Sequence, residues 1–149
     1  MNRERLERIL GNNESDLLVR LVHHADKEIL KSQQAALAEL NVSQTQALFI
    51  IYLGYYADKV NYQYMLESSF GLTNPTVTAS LKSLVAKNII YRQQDEKDGR
   101  YYQLHLTEYG KTLVDPCADA FLESNEELTK KLTAEEIHQL VELLGKLVG

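Results

Sequence analysis

The chain has 149 residues and 17.0 kDa, enough for one domain with a buried core and too few for two ordinary ones. At 44% hydrophobic, 25% charged and 8% aromatic residues, with 7 Gly and 2 Pro, it falls outside the disordered, collagen-like and low-complexity classes. A single cysteine excludes a disulfide scaffold and a Cys-rich zinc site. The longest apolar run, residues 47–57, falls short of the roughly 20 residues a membrane-spanning helix needs. The first ten residues hold no continuous apolar stretch of the kind a secretory signal requires. A cytoplasmic protein with no membrane partner is expected. The net charge of −5 is unevenly spread. Between Leu72 and Thr107, Lys82, Lys87, Arg92, Lys97 and Arg100 outnumber Asp95, Glu96 and Asp98, so the basic charge is concentrated in one segment of an acidic chain.

In chain order, Leu18, Leu21, Val22, Ala25, Ile29, Ala36, Leu37 and Leu40 keep helical spacing and predict one long amphipathic helix, closed by Asn41. Ser43 and Gln46 form a capping-box pattern before a second helix over residues 47–53, broken near Gly54. Asn61 is expected to cap a third helix over 62–70, ended by Gly71. Asn74 is expected to cap a fourth, with Pro75 at its first position, where no N–H is needed. Val77, Leu81, Leu84 and Val85 would be the buried stripe of that helix, which should run to about Lys87.

The period then changes from 3.6 to 2. Ile89, Ile90 and Tyr91, a polar turn over 94–99, and the alternation of Tyr102, Leu104 and Leu106 against Tyr101, Gln103 and His105 predict a β-hairpin. Thr107 can cap the next helix, whose apolar face is Leu113, Cys117, Ala120, Phe121 and Leu128; Pro116 must kink it or mark a restart capped by Asp115. Thr133 and Glu136 form a second capping box, followed by an amphipathic helix carrying Ile137, Leu140, Val141, Leu144 and Val148.

A short helix, a tight turn, a second helix presenting Thr and Lys, and a hairpin with a basic tip make a helix-turn-helix with a wing. The residues from Leu72 through Thr78, the stretch 84–90, the turn Asp98-Gly99-Arg100 and the ending from Leu104 through Gly110, with Leu106, Thr107 and Gly110 at its helix start, resemble the MarR family of bacterial winged-helix regulators. The resemblance implies a mainly α fold with a small β-hairpin wing, in which residues 1–40 and 111–149 supply dimerisation helices and 43–107 a DNA-binding lobe. It further implies a homodimer that binds double-stranded DNA at a pseudo-palindromic operator and acts as a repressor released by a small aromatic or lipid-like effector.

The expected DNA-binding residues are Asn74, Thr76, Thr78, Ala79, Lys82, Lys87, Arg92, Lys97, Asp98 and Arg100. A helix fits the roughly 12 Å major groove, where Thr and Lys can meet base edges or phosphates. Arg100 at the wing tip, oriented by Asp98, suits the minor groove. His23, Tyr52, Tyr55 and Tyr56 are the candidate lining of an effector pocket.

No cofactor, metal site or enzymatic activity is expected. His23, His24, His105 and His138 lack a ligand spacing, and Cys117 sits on an apolar stripe with no base beside it, as an inert thiol would. The alternative to the DNA-binding reading is a winged-helix protein-interaction module without DNA binding, favoured by the acidic total and the single basic residue before Lys87 on the recognition helix.

Overall fold

The computed structural model describes residues 2–149. A short helix α1 (Arg3–Glu7) passes through a π-helical turn (Arg8–Asn12) containing Gly11 at φ 132° into α2 (Glu14–Leu37), one 24-residue helix capped by the Asn13 side chain. A 3-10 turn, Ala38–Leu40, ends at Asn41 in the left-handed conformation (φ 54°), the stop that Asn tolerates better than most residues. Helix α3 (Gln44–Tyr55) opens on the Ser43/Gln46 capping box and runs through Gly54. Both α1 and the continuation past Gly54 lie beyond what the apolar periodicity predicts.

Two caps differ from expectation. Helix α4 (Gln63–Phe70) starts at Tyr62 with no side-chain cap, because Asn61 is employed elsewhere: its buried amide donates to the Tyr56 and Lys59 carbonyls at 2.9 and 3.1 Å. Gly71 (φ 61°) ends α4 as expected. In α5 (Asn74–Ala86) the N-cap is Thr73, and Asn74 is already helical. Val77, Leu81 and Leu84 of α5 are fully buried, whereas Val85 is 42% exposed, so the stripe is narrower than predicted.

Asn88 (φ 58°) turns the chain into β1 (Ile90–Gln94), which pairs antiparallel with β2 (Tyr102–Leu106) in the register Ile90 to Leu106 and Arg92 to Leu104. A stub at residues 61–62 adds to the outer edge of β2: the Leu104 N–H donates to the Asn61 carbonyl at 2.8 Å, and Tyr62 bridges to Gln103.

Thr107 caps α6 (Glu108–Thr112) by accepting from the Gly110 N–H, while its own hydroxyl donates to the Asn88 carbonyl at 2.7 Å. Gly110 is required here by contact, since a Cβ would stand 2.0 Å from the Ile89 carbonyl oxygen. The helix restarts as α7 (Val114–Thr129) from Leu113; Asp115 lies inside its first turn and is not the cap. The Thr133/Glu136 capping box opens α8 (Ala134–Val148).

The core is one cluster in which Leu37, Phe49, Ile50, Leu66, Leu81, Leu84, Ile89, Ile90 and Cys117 are nearly or wholly inaccessible. It fastens α3, α4, α5 and the hairpin to the end of α2 and the start of α7. The outer parts of α2 and all of α8 contribute nothing to it. Among the described residues no helix is long and apolar enough to cross a membrane, and no three His, Cys, Asp or Glu side chains gather in a metal-holding group.

Candidate nucleic-acid interface

The buried stripe of α5 fixes its opposite face. Thr76, Ala79 and Lys82 are exposed at helical spacing, Asn74 is exposed in the first turn, and Thr78 is half-buried beside α4. The Thr78 hydroxyl accepts from Gln63 Nε2 at 2.8 Å and donates to Asn74 Oδ1 at 3.5 Å; Asn74 Nδ2 reaches Glu67 Oε2, also at 3.5 Å. Thr73 and Thr76 join their hydroxyls at 3.0 Å.

The hairpin stands beside this helix, and the space between is a cleft of about 390 Å³. Gln63, Glu67, Asn74 and Thr78 line one wall of it, Arg92, Arg100 and Tyr102 the other. At the wing tip Arg100 grips Asp98 with two parallel bonds, Nε to Oδ1 at 3.0 Å and a terminal nitrogen to Oδ2 at 2.7 Å. The Arg100 N–H also donates to Asp98 Oδ1. Because the Arg100 side chain remains 83% exposed, the fork is aimed without being buried. The guanidinium holds the Asp98 carboxyl below its ordinary value, and the carboxylate in turn raises that of Arg100.

A second carboxylate builds the wing loop. Asp95 Oδ1 accepts from Tyr62 Oη at 2.8 Å and Gln103 Nε2 at 3.0 Å, and Oδ2 from the Lys97 and Asp98 N–H groups at 3.2 and 3.1 Å. These bonds, that from Gln103 first and Tyr62 next, lower its pKa to about 2. The Tyr62 hydroxyl is raised by the same bond. Tyr62 and Tyr64 of the α4 start stack at 5.5 Å and meet Tyr101 edge-on at 6.0 and 6.2 Å. The loop that carries Asp98 and Arg100 is thereby tied to the helix-turn-helix.

The structure thus brings Asn74, Thr78, Arg92 and Arg100 to one cleft, with Thr76, Ala79 and Lys82 on the adjoining helix face and Lys97 and Asp98 on the wing loop. Lys87 does not join them. Its ammonium donates to the Asn41 carbonyl at 2.6 Å and to Gln46 Oε1 at 3.1 Å, closing the end of the α2 segment against the start of α3. The residues sequence reasoning missed are Asp95, Gln103, Tyr62, Gln63 and Tyr101. Asp95 alone carried a local signal, as an Asp at the head of a polar turn.

Three of the four candidate effector residues, Tyr52, Tyr55 and Tyr56, sit together at the end of α3. Tyr52 packs on Tyr56 at 4.6 Å and on Phe70 at 5.9 Å, and Tyr55, largely exposed, meets Tyr56 edge-on at 4.8 Å. His23 stands exposed on α2, outside this aromatic cluster. Cys117 is fully buried, and burial pushes its thiol up to about 11.

The family model of the transcriptional regulators SarA/Rot matches residues 31–117, from the end of α2 through the wing to α7. The HTH-type transcriptional regulator SarZ of Staphylococcus aureus is 34% identical over 100 residues, a match that covers 66% of this chain and 66% of that protein's own length. Among solved structures, a mutant of E. coli MarR complexed with operator DNA superposes with TM-score 0.79 at 25% identity, covering 92% of this chain and 97% of that one. A DNA complex of S. aureus MepR gives TM-score 0.77 at 27% identity, covering 88% and 93%. With a winged helix-turn-helix of the type seen in MarR and MepR, and a family match across more than half its length, the chain belongs to the SarA/Rot family of transcriptional regulators.

Proposed function

We propose that the protein regulates transcription by binding double-stranded DNA as a homodimer at a pseudo-palindromic operator in the cytoplasm. The observation that carries this reading is the cleft between α5 and the wing, where one exposed helix face and one pre-aimed arginine stand side by side. A helix such as α5 fits a major groove, and its N-cap Thr73 makes no side-chain cap bond, which leaves first-turn N–H groups for a phosphate. The Arg100 fork beside it is placed for the adjacent minor groove, where an arginine reads groove width. The complexes of MarR with operator DNA and of MepR with DNA, which share this fold, support DNA binding here.

Dimerisation is supported by apolar surface that one protomer leaves uncovered. Leu18, Leu21, Val22, Ala25 and Ile29 of α2 and Leu140 and Leu144 of α8 line one groove of about 420 Å³. Leu143, Leu147 and Val148 are 61%, 55% and 87% exposed. A continuous patch of this kind marks an interface. A second copy answers it, because a palindromic site needs two linked recognition helices. A dimer seated in two successive grooves excludes other proteins from that stretch, which makes it a repressor wherever the operator overlaps a promoter. The only thiol of the chain is buried and protonated, which supports a binding role over one that uses a cysteine nucleophile.

The test is selection from a random duplex library with the purified protein, followed by titration of the enriched sequence and light scattering of the complex. An inverted repeat bound by two protomers is the expected result. Enrichment of nothing over unselected DNA would refute the reading and favour a protein partner for the same cleft.

A further inference from the structure

The hydroxyl of Thr78 is already committed. Gln63, the first residue of α4, donates to it at 2.8 Å, and Asn74 Oδ1, one turn back along α5, stands 3.5 Å away, at the long limit for its proton. A threonine hydroxyl has one proton and two lone pairs, and the bond from Gln63 occupies one of the lone pairs and fixes the direction of the oxygen. A residue so held cannot turn its oxygen to a base edge without breaking the shorter of these bonds. The γ-methyl takes part in neither bond, and Thr78 lines the cleft together with Arg92 and Arg100.

Resting on the DNA-binding reading above, we infer that Thr78 discriminates bases through its methyl group, by apolar contact with the 5-methyl of a thymine, and that Gln63 is the positioning residue that holds it in that rotamer. The division of labour follows from chemistry. In the major groove a thymine shows an acceptor and a methyl, and the methyl is the one feature that hydrogen bonding cannot read. A β-branched side chain pinned at its oxygen presents its carbon at a fixed place, with little rotamer entropy left to lose. Gln63 comes from the first helix of the helix-turn-helix, so the packing of α4 against α5 is transmitted to base choice through one hydrogen bond.

The experiment replaces each thymine of the selected operator, symmetrically in both half-sites, with deoxyuridine, which lacks only the methyl. Wild type, Thr78→Val, Thr78→Ser and Gln63→Ala are titrated against each duplex, with circular dichroism to establish that all four are folded. One buried methyl contributes roughly fourfold per half-site, hence about 15-fold for the dimer. Wild type should lose about that factor at one thymine position. Thr78→Val also loses the bond from Gln63, but it carries a methyl at both branch positions and is held to one rotamer in a helix, so it should keep both the affinity and the loss on deoxyuridine. Thr78→Ser should bind thymine and uracil duplexes alike at that position. Gln63→Ala should reduce the thymine-to-uracil ratio there while leaving the salt dependence of binding unchanged, a result that general loosening of the helix would not give. The inference is overturned if Thr78→Val loses affinity while Thr78→Ser retains the wild-type ratio, since the hydroxyl would then be the reader. It is equally overturned if deoxyuridine costs wild type nothing at every position. A wild type that binds no duplex at all refutes the DNA-binding reading itself, and the two failures are distinguishable because the first two outcomes require tight operator binding.

Discussion

Replacing Arg100 and Asp98 singly and together separates what the fork contributes as charge from what it contributes as aim. Lys82, Arg92, Lys97 and Arg100 of two protomers supply eight cations to the proposed interface, Lys87 being held by Asn41 and Gln46. If all eight met phosphates, the slope of log affinity against log salt would be roughly −7. Arg100→Ala removes two of them and should make the slope shallower by about 1.8. Between 50 and 200 mM salt that difference amounts to roughly 12-fold, so the variant is least impaired at high salt.

The structure adds a second effect. With Arg100 gone, Asp98 is an unpaired carboxylate at each wing tip, where the wild-type pair is neutral. Arg100→Ala should therefore bind more weakly than the double variant Asp98→Ala/Arg100→Ala, although both share one slope. Asp98→Ala alone frees a cation whose direction is no longer set. It should hold unrelated DNA at least as tightly as wild type while its preference for the operator narrows. Fluorescence anisotropy with operator and scrambled duplexes at four salt concentrations measures all of this. If Arg100→Ala keeps the wild-type slope and affinity, the wing does not touch DNA. If the single and double variants are equal, the lone carboxylate is without consequence.

Gly110→Ala forces a Cβ to within 2.0 Å of the Ile89 carbonyl oxygen, and it should cost roughly 2–4 kcal/mol. A Tm within a degree of wild type would show that the α6 start can shift. Cys117 keeps its proton up to about pH 11 when folded, against 9.0 for an ordinary thiol, so its contribution to stability is complete below pH 9 and lost as pH rises from 9 to 11. Cys117→Ala should lack that part of the alkaline decline in chemical denaturation, and iodoacetamide should leave the folded wild type unmodified at pH 8. Removing residues 133–149 strips α8 from the exposed apolar face of α2 and should yield monomers or aggregates by light scattering; a folded, operator-binding monomer would refute the proposed interface.

Where structure is decided by neighbours in sequence, it could be read directly. Ser43 with Gln46 and Thr133 with Glu136 form their capping boxes, Asn41 and Gly71 take the left-handed stops, and the change of period at Ile89 marks the hairpin. The Asp98/Arg100 pair is likewise local, two residues apart. What escaped prediction depends on partners distant along the chain. Asn61 has the right type for a cap, but its amide is drawn to the carbonyls of Tyr56 and Lys59 and its carbonyl to β2. Lys87 belongs to the basic segment by composition, yet Asn41, 46 residues away, claims it. That Tyr56 would pack against both Tyr52 and Tyr55, and Tyr52 against Phe70, was not legible in the sequence either. Asp95 meets Tyr62 across 33 residues, a pairing no window of sequence contains.

That last pairing has a mechanical consequence. Since Asp95 and the three tyrosine rings hang the wing on α4, the wing and helix-turn-helix of one protomer move as a single reading head, and α5 cannot advance into its groove while the wing stays behind. In the proposed dimer the separation and twist between two heads would then fall to α2 and α8. Adding one base pair between half-sites turns the second groove by about 35° around the duplex axis. A head tied together in this way should not follow that rotation, so the proposed dimer would owe its tolerance to operator spacing to the helical stem.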